Sequence, residues 1–179
     1  SMRQIFYLTF LLILISSCQF TKQDAKHSLA NAYLQSGKMY LQSGDYDAKG
    51  VNDLLMGIEV CDKNDYDLLG ELHYALGTFS SFHLEKEQSL EYYNEAIGYF
   101  KKAGNIERAG KVLLEGKGLV CLMMNDLESA EQCLREVVNQ PYDSTLTGSA
   151  LEEIGIFLGL KAEYDSAMYY LRKSAAYPV

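Results

Sequence analysis

Residues 151–178 read LEEIGIFLGLKAEYDSAMYYLRKSAAYP. Apolar residues recur at intervals of three and four, the spacing of helices packed on one face. Helices are expected over 144–161 and 164–177. Gly155 sits in the middle of the first, after Ile154. Small Ala167 follows it by 12 residues, large Leu171 by 16, small Ser174 by 19, and Pro178 by 23. The same order of small and large residues runs backward through the chain. Gly37, Gly77, Gly118 and Gly155 are separated by 40, 41 and 37 residues. Ser89 and Ala130 take the first small place, Tyr93 and Leu134 the large one, and Ala96 and Val137 the second small one. The only other proline, Pro141, lies 23 residues after Gly118. The first unit fits if its loop, GDYDAK at 44–49, holds one extra residue; Gly50, Leu54 and Gly57 then fill the three places. Repeats of this length are one supersecondary unit each, stacked on like neighbours.

Two prolines and no Asn-Gly or Asp-Gly pair leave almost no strand signal. Eight helices are expected, over 27–42, 45–62, 66–83, 86–103, 105–123, 126–139, 144–161 and 164–177, with Asp45, Asp126 and Asp143 or Ser144 as N-caps. The pattern resembles the tetratricopeptide repeat (TPR) over about residues 27–178. The resemblance implies an all-α, TPR-like α-solenoid of four helix pairs: a degenerate first unit at 27–62, then 63–103, 104–141 and 142–179. In that family a small residue on the first helix admits a small one on the second, and the large residue fills the groove beside them. The units here exceed the usual length of about 34 residues, and tryptophan is absent. An unrelated all-α bundle is the alternative.

The N-terminus carries a different signal. Ser1 before Met2 reads as a cloning remnant. Arg3 is the only charge before Lys22, and Ile5 to Ile15 is apolar apart from Thr9. That run spans about 16 Å as helix, too short for a ~30 Å hydrocarbon core. A basic start, a short apolar core and small closing residues form a secretory signal, expected over residues 1–17. Ile15-Ser16-Ser17-Cys18 resembles the lipobox of bacterial lipoproteins. The resemblance implies cleavage before Cys18, lipid on that residue, and a polar tether over 18–26. It places the chain on the periplasmic side of a membrane, and Gln19 in place of aspartate favours the outer membrane.

Net charge is −8 and becomes more negative when Arg3 is removed, which argues against nucleic acid. Cys61, Cys121 and Cys133 show no CxxC spacing and fall on apolar stripes, as buried thiols do. Residues 104–111, GNIERAGK, imitate a phosphate loop, but with five residues between the glycines and Val112 where a Mg²⁺-binding hydroxyl belongs. His73 and His83 lie nearly three turns apart and cannot grip one metal, and His27 stands alone. No cofactor, metal or catalytic constellation is expected; the chain reads as a non-enzyme.

By the TPR resemblance, the residues flanking each repeat glycine line a concave groove: Leu34, Lys38 and Gln42; Tyr74, Thr78 and Phe82; Glu115, Leu119 and Met123; Glu152, Ile156 and Leu160. Such a groove suits an apolar peptide or helix carrying a basic residue. The family's carboxylate clamp does not fit, because Leu34 and Lys38 stand where its lysine and asparagine would. Two functions are compatible with this: a lipid-anchored scaffold that binds a protein partner, or a sensor. For the second, residues 64–77 (NDYDLLGELHYALG), 91–105 (EYYNEAIGYFKKAGN) and 163–178 (EYDSAMYYLRKSAAYP) resemble the N-terminal halves of TPR-containing membrane regulators of Bacteroidetes. The fourth unit carries more apolar residues than one neighbour can cover, so either the native chain continues past Val179 or two copies pair end to end.

Overall fold

The structure, a computed structural model, describes the backbone of residues 2–140 and 142–178, and side chains from Thr21 onward. The thiol of Cys18, Pro141 and Val179 lie outside the described residues. The order of elements is α1 (Met2–Ser43), α2 (Ala48–Val60), α3 (Tyr66–Phe82), α4 (Lys86–Ala103), α5 (Ile106–Lys111), a π-helical segment (Val112–Gly118), α6 (Leu119–Met123), α7 (Leu127–Asn139), α8 (Ser144–Leu160) and α9 (Tyr164–Ser174). No strand occurs among the described residues. The chain is an all-α, TPR-like solenoid. Helices pack antiparallel in pairs: α1 with α2, α3 with α4, α5–α6 with α7, and α8 with α9.

The repeat logic is visible as contacts. A Cβ on Gly77 would lie 2.7 Å from the Tyr93 ring, and one on Gly155 would lie 2.6 Å from Leu171 Cγ. Gly37 is filled in the same way by Leu54, at 2.5 Å. Only a missing side chain lets these helix axes approach so closely. The small residue 12 places on completes the join: Ser89 Oγ donates to the Gly77 carbonyl at 2.8 Å, fully buried. The interior forms two clusters. One joins α1–α3 through Leu54, Leu72, Leu76 and Phe79, and the other runs from α4 to α9 through Tyr93, Phe100, Leu134 and Ile154. Burying each such side chain contributes about 1.5–3 kcal/mol.

Each pair turns in the same way. Gly44, Leu84, Asn125 and Ala162 all adopt positive φ, between 57° and 71°. The next amide then bonds back across the helix end: Asp45 N–H to Tyr40 O, Glu85 to Ser80, Asp126 to Cys121, and Glu163 to Leu158, at 2.8–3.1 Å. This 6→1 bond is the Schellman closure, which usually employs glycine. Here glycine occurs only in the first turn. Leucine and alanine hold the same conformation in the second and fourth turns, at a steric cost of roughly 1–2 kcal/mol each.

Three expectations are corrected. Helix α1 does not begin at residue 27; it runs unbroken from Met2, because neither glycine nor proline interrupts residues 2–36, and the polar stretch 21–26 is exposed helix. Asp45 does not cap α2, which starts at Ala48 behind Asp47. The helix expected over 105–123 is not a regular α-helix, since residues 112–118 bond in π fashion, one residue wider per turn. Asp126 and Asp143 do cap α7 and α8 through the Ser129 and Thr145 amides. Asp65 and Asn105 cap α3 and α5 as well, and neither was expected from the sequence.

The π segment explains the one repeat glycine that departs from the pattern. Gly118 meets the Leu113 carbonyl and Cys133 Cβ rather than Leu134, and Gly116 faces the Tyr93 ring instead. The extra residue per turn rotates the residues after it, so glycine and large residue lose their shared phase.

Candidate functional site

The first helices of the four pairs carry all the expected groove residues, and the structure divides them into a half closed by ion pairs and a half without them. Between α1, α3 and α5 the protein's own charges bridge the groove, beside a hollow of 340 Å³ lined mostly by polar side chains such as His27, Asn31, Lys38 and Glu71. Lys38 Nζ lies 3.0 Å from Glu71 Oε2, and Arg108 grips both oxygens of Glu71, Nε at 2.5 Å and Nη2 at 3.1 Å. Burial alone would push the Glu71 carboxyl up, but Arg108 and then Lys38 hold it below its ordinary value. The Arg108 guanidinium lies 4.8 Å over the Tyr74 ring, and Tyr74 packs in turn against Tyr93. Thr78 donates to the Tyr74 carbonyl and receives a long bond from the Tyr93 hydroxyl. Phe82 stacks on Tyr46 at 4.1 Å. Leu34, expected in the groove, is core at 3% exposure; Gln42 is exposed.

From the π segment onward the arrangement changes. Leu119, Met123, Ile156 and Leu160 are half-exposed or more, and Glu115 and Glu152 are exposed. The cause lies in the packing: α1 rests on α3 and α3 on the π segment, whereas α8 packs chiefly on α7 and α9. A seam is left between α6 and α8, and two hollows open along it. One, of 260 Å³, is lined by Leu114, Glu115, Leu119, Leu122, Leu134, Ser149 and Glu153. The other, of 420 Å³, is lined by Leu122, Asn125, Leu127, Glu153, Ile156, Phe157, Leu160 and Lys161. Glu153 and Leu122 belong to both. Sequence phase pointed to Glu152, but its neighbour Glu153 forms the wall; on a helix the two point about 100° apart. No ion pair holds Glu115, Glu152 or Glu153 among the described residues.

The other chemistry-bearing side chains serve the fold. His73 Nδ1 meets the Leu69 carbonyl and Nε2 meets Glu95, joining α3 to α4. His83 bonds to the Phe79 carbonyl, and His27 to Asp65. Burial pushes the Cys61 and Cys133 thiols up to about 11, which suppresses thiolate. Among the described residues no group able to hold a metal ion occurs, and no helix is long and apolar enough to cross a membrane.

No protein-family model matches the chain, and no curated protein matches it. Solved structures do. Its fold is similar to that of BtubC (BKLC) from P. vanneervenii, with TM-score 0.70, 14% identity and 84% of this chain covered. The chain spans 63% of the length of that protein. It is also similar to MamA, a TPR-repeat protein, with TM-score 0.64, 19% identity, and coverage of 86% of this chain and 80% of MamA. At these identities the likeness is one of fold, and that fold is TPR-like.

Proposed function

We propose that this chain is a non-enzymatic scaffold anchored by lipid at Cys18 on the periplasmic side of a bacterial membrane, the outer membrane by preference. Its groove holds a peptide or helix of another protein. The observation that carries this reading is the contrast within the groove. Where neighbouring first helices touch, their polar groups satisfy one another; along α6 and α8, apolar side chains and carboxylates without an ion pair among the described residues face solvent instead. Solenoids of this kind stack so that successive first helices form one extended binding surface. The anchor rests on the lipobox-like Ile15-Ser16-Ser17-Cys18 and the short apolar run before it.

Two measurements test the two parts. Wild-type protein expressed in a Gram-negative host is expected to carry acyl mass on a mature N-terminal Cys18, and Cys18→Ser to accumulate as the uncut precursor. Mature protein without acyl groups would refute the anchor. A photo-crosslinking residue at Leu119 or Ile156 is expected to capture a partner in the native host, and one at Gln132 on α7 is not. Equal capture from both faces would refute the groove.

A second reading, the sensor half of a membrane-bound TPR regulator, is favoured by the phrasing of residues 64–77, 91–105 and 163–178. It uses the same groove. An apolar run of about 20 residues encoded after Val179 would select it.

A further inference from the structure

We infer that the seam between α6 and α8 accepts a helical segment of a partner protein bearing two apolar side chains two turns apart and a basic residue between them. This inference rests on the groove reading above and names the chemistry of its occupant.

Three features of the seam define that occupant. The hollows adjoin at Leu122 and Glu153 and are mainly apolar, one beneath Leu119 and Leu134 and the other beside Ile156 and Leu160. Along α8 the first lies at Ser149 and Glu153, and the second is centred near Phe157. That offset is roughly 10 Å at ~1.5 Å per residue, the separation of positions i and i+7 on a helix. The shared wall between them is Glu153, with Glu115 on the rim of the first hollow. Neither carboxylate is in an ion pair among the described residues, although the Arg108 charge reaches Glu115, and Lys161, the one cation that lines these two hollows there, is engaged by Glu131 and Glu163. The half-exposed hydrophobics supply affinity, and the carboxylate between them selects charge at the midpoint. An acidic or uncharged occupant would leave Glu153 covered without a partner, a penalty that works as selection.

Alanine-rich peptides, stapled to hold a helix, test this directly. Two are needed, both with leucines two turns apart, one carrying arginine midway and the other glutamate. Fluorescence anisotropy with the full chain is expected to show the arginine peptide binding at least about fivefold more tightly, with the difference shrinking as salt is raised. Glu153→Gln is expected to erase the difference between the peptides. Ile156→Ser is expected to weaken both by about tenfold, because it removes an apolar wall. Equal affinity of the two peptides for wild type overturns the inference. So does an arginine preference that persists in Glu153→Gln, or sedimentation showing that a second copy fills the seam. If neither peptide binds while photo-crosslinks still form from Leu119 and Ile156, the occupant named here is wrong and the groove reading stands. If those crosslinks are absent as well, both fail.

Discussion

Replacing Ala162 by glycine is expected to stabilise the protein, against the ordinary direction of that substitution. Ala162 is exposed and holds φ at +61° in the turn between α8 and α9. A Cβ in that conformation costs roughly 1–2 kcal/mol, and glycine relieves it. Against this stands the larger entropy of the unfolded glycine chain, about 0.4–1 kcal/mol. The alanine methyl is solvated, so little packing is lost. The net gain is about 0.5–1 kcal/mol, or roughly 2–3 °C in Tm for a chain of this size. Ala32→Gly is the internal control: Ala32 is exposed within α1, and there the same substitution should cost about 1 kcal/mol. Calorimetry of the two variants beside wild type should give shifts of opposite sign. A loss at Ala162 equal to that at Ala32 would refute the left-handed turn and the Schellman closure built on it.

Other substitutions probe the core, the closed half of the groove and the array's end. Tyr93→Ala should cost about 3–5 kcal/mol because Tyr93 fills the space beside Gly77, whereas half-exposed Leu119→Ala should cost under about 1 kcal/mol; similar melting shifts would make Leu119 a core residue. Glu71→Gln should cost about 1–3 kcal/mol by leaving Arg108 and Lys38 without their shared anion. Because the Glu71 carboxyl is held below its ordinary 4.5, its contribution is present above that value and is lost as pH falls through the lowered one. A denaturation series in acid should therefore show a shallower loss in the Gln variant, and parallel curves would refute the assignment. Met168 is 48% exposed on α9, so Met168→Glu should change stability by less than about 0.5 kcal/mol, and a larger fall in Tm would refute its exposure.

Much of the architecture could be read from spacing alone. A glycine followed 16 residues later by a large side chain appears in space as Gly77 against Tyr93 and Gly155 against Leu171, because both partners lie on regular helices whose phase spacing preserves. The α4 expectation, 86–103, coincides with Lys86–Ala103 for the same reason. Where local geometry departs from the regular helix, spacing misleads: the π segment breaks the phase of Gly118. The turn at Leu84 was hidden because leucine does not advertise a left-handed conformation. The groove was legible as a face but not as a vacancy. Phase can place Lys38 and Tyr74 on the inner side of their helices. It cannot reveal that Glu71 and Arg108, 37 residues apart, meet there. Nor does it show that α8 stands away from α6.

The π segment bears on how such an array can change over time. A residue added to a regular stacked repeat would turn every later side chain by about 100° and misalign the units beyond it. At Val112–Gly118 the surplus is confined to a single widened stretch, and the fourth pair resumes with Gly155 meeting Leu171 in the ordinary way. Leu114, Glu115 and Gly118 of this segment also line the first hollow of the seam, so part of that wall is built on backbone whose hydrogen bonds span one residue more than those of the helices around it.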